Sequence, residues 1–245
     1  MKYLRSLAFN IGFYGWTAIV AILGLPTLAM PRRAGRPVQQ AWASGSMAVM
    51  RFCLGLDYEV RGRENVPPGG ILVASKHQSA FDTVVFALLL RDPGLVLKRE
   101  LTKIPFYGWY VRKWGMIPVD RKAGPSALRN MVKTARPILA EGRPVFIFPE
   151  GTRTAPDAPP DYKPGIAALY RELGVPCVPV ALNSGLYWPR RTFVKHPGRI
   201  VIEFLPPIPP GLSRGAFMTE LRDRIEGATA RLVAEGRAEG RAAGA

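Results

Sequence analysis

Acidic residues are missing from the first 56 positions of this chain, and charge of either sign is missing between Arg5 and Arg32. The second absence leaves SLAFNIGFYGWTAIVAILGLPTLAMP as an apolar run that meets the roughly 20 residues a membrane span needs. Tyr14 and Trp16 add rings suited to a headgroup boundary. A secretory signal fits poorly, because the run is too long and no A-x-A site follows before Pro31. A second stretch, VQQAWASGSMAVMRFCLGL, carries only Arg51 and follows the basic turn PRRAGRP. Two helices of a soluble core would ordinarily carry acidic residues on their outer faces. The pair therefore predicts membrane contact, as a span plus an interfacial helix or as a hairpin embedded in one leaflet. A hairpin would put Arg32, Arg33 and Arg36 on lipid phosphates, and Gly24 and Pro26 offer a break that favours it.

Cysteine is nearly absent. Cys53 and Cys177 lie far apart in apolar surroundings, which excludes a ligand-spaced zinc cluster, argues against a disulfide framework and predicts two buried thiols. Acid is scarce overall: 34 Lys and Arg face 18 Asp and Glu, for a net charge of +16. Such a surface seeks phosphate on nucleic acid, on an anionic membrane or on a substrate. The 245 residues, 48% of them hydrophobic, suit one sizeable core or a core plus an appendage and exclude wholesale disorder.

After Asp57 the pattern alternates. DYEVRG, ILVAS, VLK, GMIPV, PVFIF, VPCVPVAL and RIVIEF read as strands. SAFDTVVFALLLR, SALRNMVKTARPILAEG, KPGIAALYRELG and AFMTELRDRIEGATARLVAEG read as helices. The expected fold is α/β, a mixed or mostly parallel sheet flanked by helices and preceded by a two-helix membrane-associated motif. Residues 1–56 are expected to anchor, 57–236 to form the catalytic domain and 237–245 to be a flexible tail.

Histidine is as scarce as cysteine, with two in the chain, His77 and His196. His77 follows ILVAS and precedes Asp82 by five residues, which on one helix would leave the side chains about 140° apart. They meet only if His77 lies in the loop and Asp82 in the first turn of the next helix. The carboxylate could then accept from one ring nitrogen and free the other as a general base. The competing account is that Ser79-x-x-Asp82 is a capping box, with Asp at the position Glu or Gln usually takes. His196 sits in a Pro-Gly turn without an adjacent carboxylate. Downstream, FPEGTR follows the strand PVFIF. There Gly151 lets backbone approach a ligand, and Arg153 can grip phosphate with two prongs. Residues 91–122 interleave eight basic side chains with Tyr107, Trp109, Tyr110 and Trp114, a pattern shared by nucleic-acid faces and lipid-headgroup shelves.

Taken in order, His77-x4-Asp82, Lys98-x-Glu100-Leu101 leading into Ile104-Pro105-Phe106-Tyr107-Gly108-Trp109, GMIPVDR, FPEGTR and VPVAL resemble the PlsC-like lysophospholipid acyltransferases. The resemblance covers roughly residues 57–205. It implies acyl transfer from an acyl thioester, on coenzyme A or acyl carrier protein, to the free sn-2 hydroxyl of 1-acyl-sn-glycerol-3-phosphate, with no metal or bound cofactor. It further implies His77 as general base and Asp82 as its orienting partner. Arg153 becomes the phosphate ligand, with Glu150 and Gly151 shaping the acceptor site. Lys98 and Arg121 fall at the family's other basic positions, Lys163 is a weaker candidate, and Pro179 falls in a motif assigned to the donor side. GMIPVDR departs from the usual second motif through Pro118 and Val119. That leaves the headgroup open to another lysolipid such as a lyso-ornithine lipid.

The implied partners are membrane lipids, the lysolipid and the acyl carrier. The implied place is the cytoplasmic face of the inner membrane, since a cytosolic acyl thioester needs a cytosolic catalytic domain. A nucleic-acid partner is excluded because the basic residues come with an anchor. A non-catalytic membrane-surface protein would explain the charge but not His77, Asp82 and Arg153 at these spacings. A hydrolase would share the dyad, but the chain has no G-x-S-x-G elbow.

Overall fold

The computed structural model describes residues 1–242. Two long helices come first, α1 (Lys2–Leu23) and α2 (Gly35–Leu54). Seven strands follow: β1 (Leu56–Arg61), β2 (Leu72–Ser75), β3 (Gly94–Lys98), β4 (Ile117–Val119), β5 (Val145–Ile147), β6 (Cys177–Leu182) and β7 (Gly198–Phe204). Interspersed are α3 (Ala80–Leu89), α4 (Tyr107–Lys113), α5 (Pro125–Ala140) and α6 (Gly165–Leu173), and α7 (Arg214–Ala242) comes last.

The strands form one sheet in the order β1-β7-β6-β2-β5-β3-β4. Five of them, β6, β2, β5, β3 and β4, run parallel, while β7 lies antiparallel to β6 and carries β1 parallel beside it. The expected mixed, mostly parallel α/β fold is the one observed. β2 and β6 are buried along their whole length, as befits central strands covered on both faces. One face packs Phe81, Val84, Val85 and Phe86 of α3 together with Met47, Met50 and Leu54 of α2. The other packs Met131, Ala135 and Ile138 of α5, Ile166 and Leu169 of α6, and Phe217, Leu221 and Ile225 of α7 at four-residue spacing.

The topology brings one edge of the sheet to prominence. Because β2, β3, β4, β5 and β6 are parallel, the loops that follow them share that edge, and ligands in such sheets bind there. Lys76 to Ser79, Lys98, Arg121, Phe148 to Arg153 and Ser184 all lie on it.

Three expectations change. α4 has no counterpart in the sequence pattern: it is seven residues long, follows Pro105 and starts from Phe106 at φ +60°, so no helical period accumulates. Cys177 is buried, whereas Cys53 is half-buried on α2. α7 continues through residues 237–242, where a loose tail was expected, and Arg237 pairs with Asp157; residues 243–245 lie outside the described residues.

The boundary at residue 56 does not separate two cores. Phe9 of α1 is fully buried and meets Trp188 edge-on at 4.8 Å. α1 and α2 form an antiparallel pair in which the Trp16 indole donates to the carbonyls of Ala41 and Trp42, both at 3.2 Å, and Trp42 donates to Thr17 Oγ1 at 3.0 Å. Gly45 makes this packing possible, since a Cβ there would lie 2.2 Å from the Trp16 ring. The outward face of α1 keeps Tyr3, Leu4, Leu7, Ile11, Tyr14, Ile19, Ile22 and Leu23 exposed. A helix of this length and apolarity would suffice to cross a membrane, and its exposed apolar face marks the protein as membrane-associated.

Gly45→Val should force the two helices apart and cost about 1–3 kcal/mol, the usual penalty of overpacking. The expected readouts are a lower melting temperature and faster proteolytic nicking in the turn between α1 and α2. Unchanged values would show that the Trp16 contact does not hold the pair together.

Candidate active site

The local sequence builds the centre of the site. β2 ends at Ser75, and Ser79 caps α3 with its hydroxyl accepting from the Phe81 N–H at 3.2 Å. Asp82, at the third position of the helix, turns back over the cap. Its Oδ2 accepts from the N–H groups of Ser79 at 2.8 Å and Gln78 at 2.7 Å, and meets His77 Nδ1 at 2.9 Å. The capping box and the His–Asp pair are therefore one arrangement, served by one oxygen. Oδ1 accepts from the Ser184 hydroxyl at 2.6 Å. Asp82 and Ser184 are both fully buried.

The His77 ring lies flat on Phe148, with centroids 3.7 Å apart and planes 15° apart, so it cannot tumble. Its side chain keeps 13% exposure, and Nε2 has no hydrogen-bond partner among the described residues. A ring fixed at Nδ1 by a carboxylate and open at Nε2 can take a proton from a ligand hydroxyl.

The loop after β5 clamps the backbone of the same histidine. Thr154 donates from its N–H to the His77 carbonyl at 2.8 Å, and its hydroxyl donates to the Glu150 carboxylate, 3.0 and 3.1 Å from its two oxygens. Glu150 Oε2 accepts from the His77 N–H at 3.4 Å, and Oε1 accepts from the Lys76 ammonium at 2.8 Å. Glu150 is 1% exposed. This corrects its expected place against the acceptor: its carboxylate faces inward because a buried ammonium, the Thr154 hydroxyl and a backbone N–H occupy both its oxygens.

The other candidates divide. Gly151 adopts φ +64° at the tip of the loop, with the Arg121 guanidinium laid against it and donating to its carbonyl; a side chain at 151 would meet both obstacles. Arg121 and FPEGTR, distant in sequence, are thus brought together. Arg153 is half-buried and its guanidinium has no protein partner among the described residues, while Arg190 holds its carbonyl at 2.8 Å. Lys98 stands exposed at the end of β3, on the same edge and two strands from β2. Lys163 is not brought in with them: its backbone N–H bonds the Pro149 carbonyl, but its exposed ammonium pairs with Asp161. Pro179 is buried inside β6. Lys76, Thr154 and Ser184 escaped sequence reasoning. Ser184 stands 102 residues from Asp82, and only the pairing of β6 beside β2 puts them in contact.

An α/β sheet whose carboxyl edge holds a histidine oriented by a buried aspartate, beside a half-buried arginine free of carboxylates, defines an enzyme that activates a hydroxyl near an anion. Similarity to known proteins makes that class specific. A family model described as Acyltransferase matches residues 57–183, and the chain belongs to that family. The chain is 35% identical over 207 residues to the 1-acyl-sn-glycerol-3-phosphate acyltransferase of Pseudomonas aeruginosa, covering 84% of this chain and 80% of that one. It is 30% identical over 251 residues to the human 1-acyl-sn-glycerol-3-phosphate acyltransferase alpha, covering 99% and 85%. The crystal structure of the 1-acyl-sn-glycerophosphate acyltransferase PlsC from Thermotoga maritima superposes with a TM-score of 0.79 at 22% identity, covering 95% of this chain and 98% of that one, a likeness of fold.

Ser184→Ala should leave Asp82 Oδ1 without its buried donor and cost about 1.5–3 kcal/mol in the transition state, the scale of a hydrogen bond to a charged group. A fall in kcat of at least tenfold with little change in KM is the expected kinetic result. Full kcat in the alanine variant would remove Ser184 from the site.

Proposed function

We propose that this acyltransferase moves a fatty acyl group from a thioester to the free sn-2 hydroxyl of 1-acyl-sn-glycerol-3-phosphate, giving phosphatidic acid. The observation that carries the reading is the His77–Asp82 pair open at Nε2 beside the loop that presents Arg153. The names of the relatives support the substrate.

In this reading His77 Nε2 takes the proton of the acceptor hydroxyl as its oxygen attacks the thioester carbonyl. The Asp82 carboxylate stabilises the imidazolium so formed. Collapse of the tetrahedral intermediate breaks the C–S bond, and the imidazolium returns its proton to the leaving thiolate. Arg153 grips the phosphate with a planar fork, and Arg121, fixed on Gly151, adds charge at the mouth. Lys98 lies further along the same edge as a reserve cation for either substrate. The chemistry calls for no metal or bound cofactor, and coenzyme A or acyl carrier protein delivers the thioester.

The α1–α2 pair is read as an embedded hairpin on the cytoplasmic face of the inner membrane. α1 is about 33 Å long at 1.5 Å per residue, yet both its ends are tied to the α/β domain. Near its start Ser6 Oγ accepts from the Lys195 N–H at 3.0 Å, and near its end Ala21 accepts from the Tyr110 hydroxyl at 2.7 Å. Beyond the helix Arg32 pairs with Asp92 and, at 2.9 Å, with Glu141. A helix crossing the bilayer could not keep both attachments. The exposed Ile104, Phe106, Tyr107 and Trp109 of the α4 region and Phe193 extend the apolar surface.

Two experiments test these readings. With purified protein and a labelled acyl thioester, His77→Ala should lose at least a thousandfold in kcat, and Arg153→Lys should raise the acceptor KM about tenfold while leaving the donor KM in place. An active alanine variant, or a rise in donor KM alone, would overturn the respective assignment. For topology, Lys2→Cys in a Cys53→Ser background should resist an impermeant thiol reagent in intact cells, since an embedded hairpin keeps position 2 inside. Labelling from outside would refute it.

A further inference from the structure

Lys76 is the residue immediately before the base, and it is completely buried. Its ammonium is clasped by two carboxylates: Glu150 Oε1 at 2.8 Å, and Glu226 of α7 at 2.8 and 3.1 Å. Glu226 is held in turn by the Tyr162 hydroxyl at 2.8 Å. Burial and the Glu226 carboxylate push the Tyr162 phenol well above its ordinary value, so it stays a donor. The cluster joins four separate places in the chain: the end of β2, the loop after β5, the approach to α6 and the middle of α7.

Stability alone gives a poor reason for this cluster. An apolar side chain in place of a buried ion pair is commonly neutral or stabilising, because taking charges out of water costs about as much as their attraction returns. What such a pair supplies is geometry. Here the geometry bears on one group, since Glu150, whose Oε1 the ammonium holds, is also the acceptor for the His77 backbone N–H. That bond, at 3.4 Å, is the longest in the clamp and the first to fail if the carboxylate moves.

We propose that Lys76 and Glu226 are positioning residues for the base: the buried ammonium, held between Glu150 and Glu226, keeps Glu150 aimed at the His77 backbone and makes α7 part of the catalytic scaffold. The proposal rests on His77 serving as the base of the acyl transfer described above. Neither residue touches substrate, so the expected signature is a loss of turnover without a loss of binding.

Glu226→Gln tests this without endangering the fold, because Glu226 is only three-quarters buried and the amide oxygen still accepts from Tyr162. With one carboxylate gone, the ammonium moves toward Glu150 and displaces it from His77. The full-length protein in detergent should show kcat reduced about tenfold, with acceptor and donor KM within about twofold of the parent. Lys76→Met should lower kcat per folded molecule about a hundredfold, the folded fraction being set by thermal unfolding. A second readout does not depend on turnover. The chain has two histidines, so 15N-histidine labelling gives two backbone amide resonances, assigned by the loss of one in His77→Ala. Glu226→Gln should move the His77 amide resonance and leave that of His196 in place.

Parent-like kcat in Glu226→Gln overturns the proposal, as does an unmoved His77 amide, whether or not Lys76→Met folds. A raised acceptor KM at constant kcat also overturns it, by assigning the cluster to the substrate site. A parent protein inactive on lysophosphatidic acid with either thioester would strike the acyl-transfer reading itself, while the amide resonance would still decide the positioning claim.

Discussion

The Asp82 carboxylate carries four hydrogen bonds in a place no water reaches, and much of the molecule is arranged to supply them. Two come from backbone N–H groups at the start of α3, which would otherwise be orphaned there. One comes from the imidazole that the carboxylate orients, and one from a hydroxyl on the far side of β2. A buried acceptor with every donor in place favours a single geometry, whereas one left partly unpaired would cost about 1–3 kcal/mol. Helix initiation, strand order and the aim of the histidine are consequently linked by one group. The rival explanations of Asp82, a cap and an orienting acid, turn out to describe the same bonds.

Around this centre the protein separates its tasks by edge and by face. The carboxyl edge of the sheet carries the histidine, the glycine-tipped loop and the unpaired cations. The opposite edge carries Arg32, Asp92, Glu141 and Arg143 in a closed set of ion pairs that secures the turn between α1 and α2. The apolar helix α1 runs from one edge to the other along the sheet's first face. The Tyr110 hydroxyl ties α4 to the end of that helix at the Ala21 carbonyl, and Phe106 and Trp109 beside it are exposed as well.

Much of this was legible in residue order. Strands of β-branched residues alternating with amphipathic helices specify the layered sheet, and His77 before Asp82 requires the loop-to-helix geometry that is found. FPEGTR signals a tight turn after a strand, and Gly151 adopts φ +64° there. What could not be read was whatever depends on distant strands becoming neighbours. Nothing in KHQSAFD says that Lys76 will face Glu226, or that a serine after VPVAL will reach Asp82. The inward turn of Glu150 belongs to the same class, since a carboxylate beside an arginine in sequence gives no sign of which way it points. α4 was hidden for a local reason, its brevity after a proline.

The order in which these parts leave the ribosome has a consequence for when the site can be complete. The hairpin of α1 and α2 emerges ahead of the sheet. His77 and Asp82 follow, but Ser184 emerges roughly a hundred residues later and Glu226 later still. Asp82 Oδ1 and the Lys76 ammonium therefore gain these partners only once β6 and α7 have been made and packed. A chain cut short before β6 would hold His77 and Asp82 without the Ser184 hydroxyl that completes the hydrogen bonds of the carboxylate.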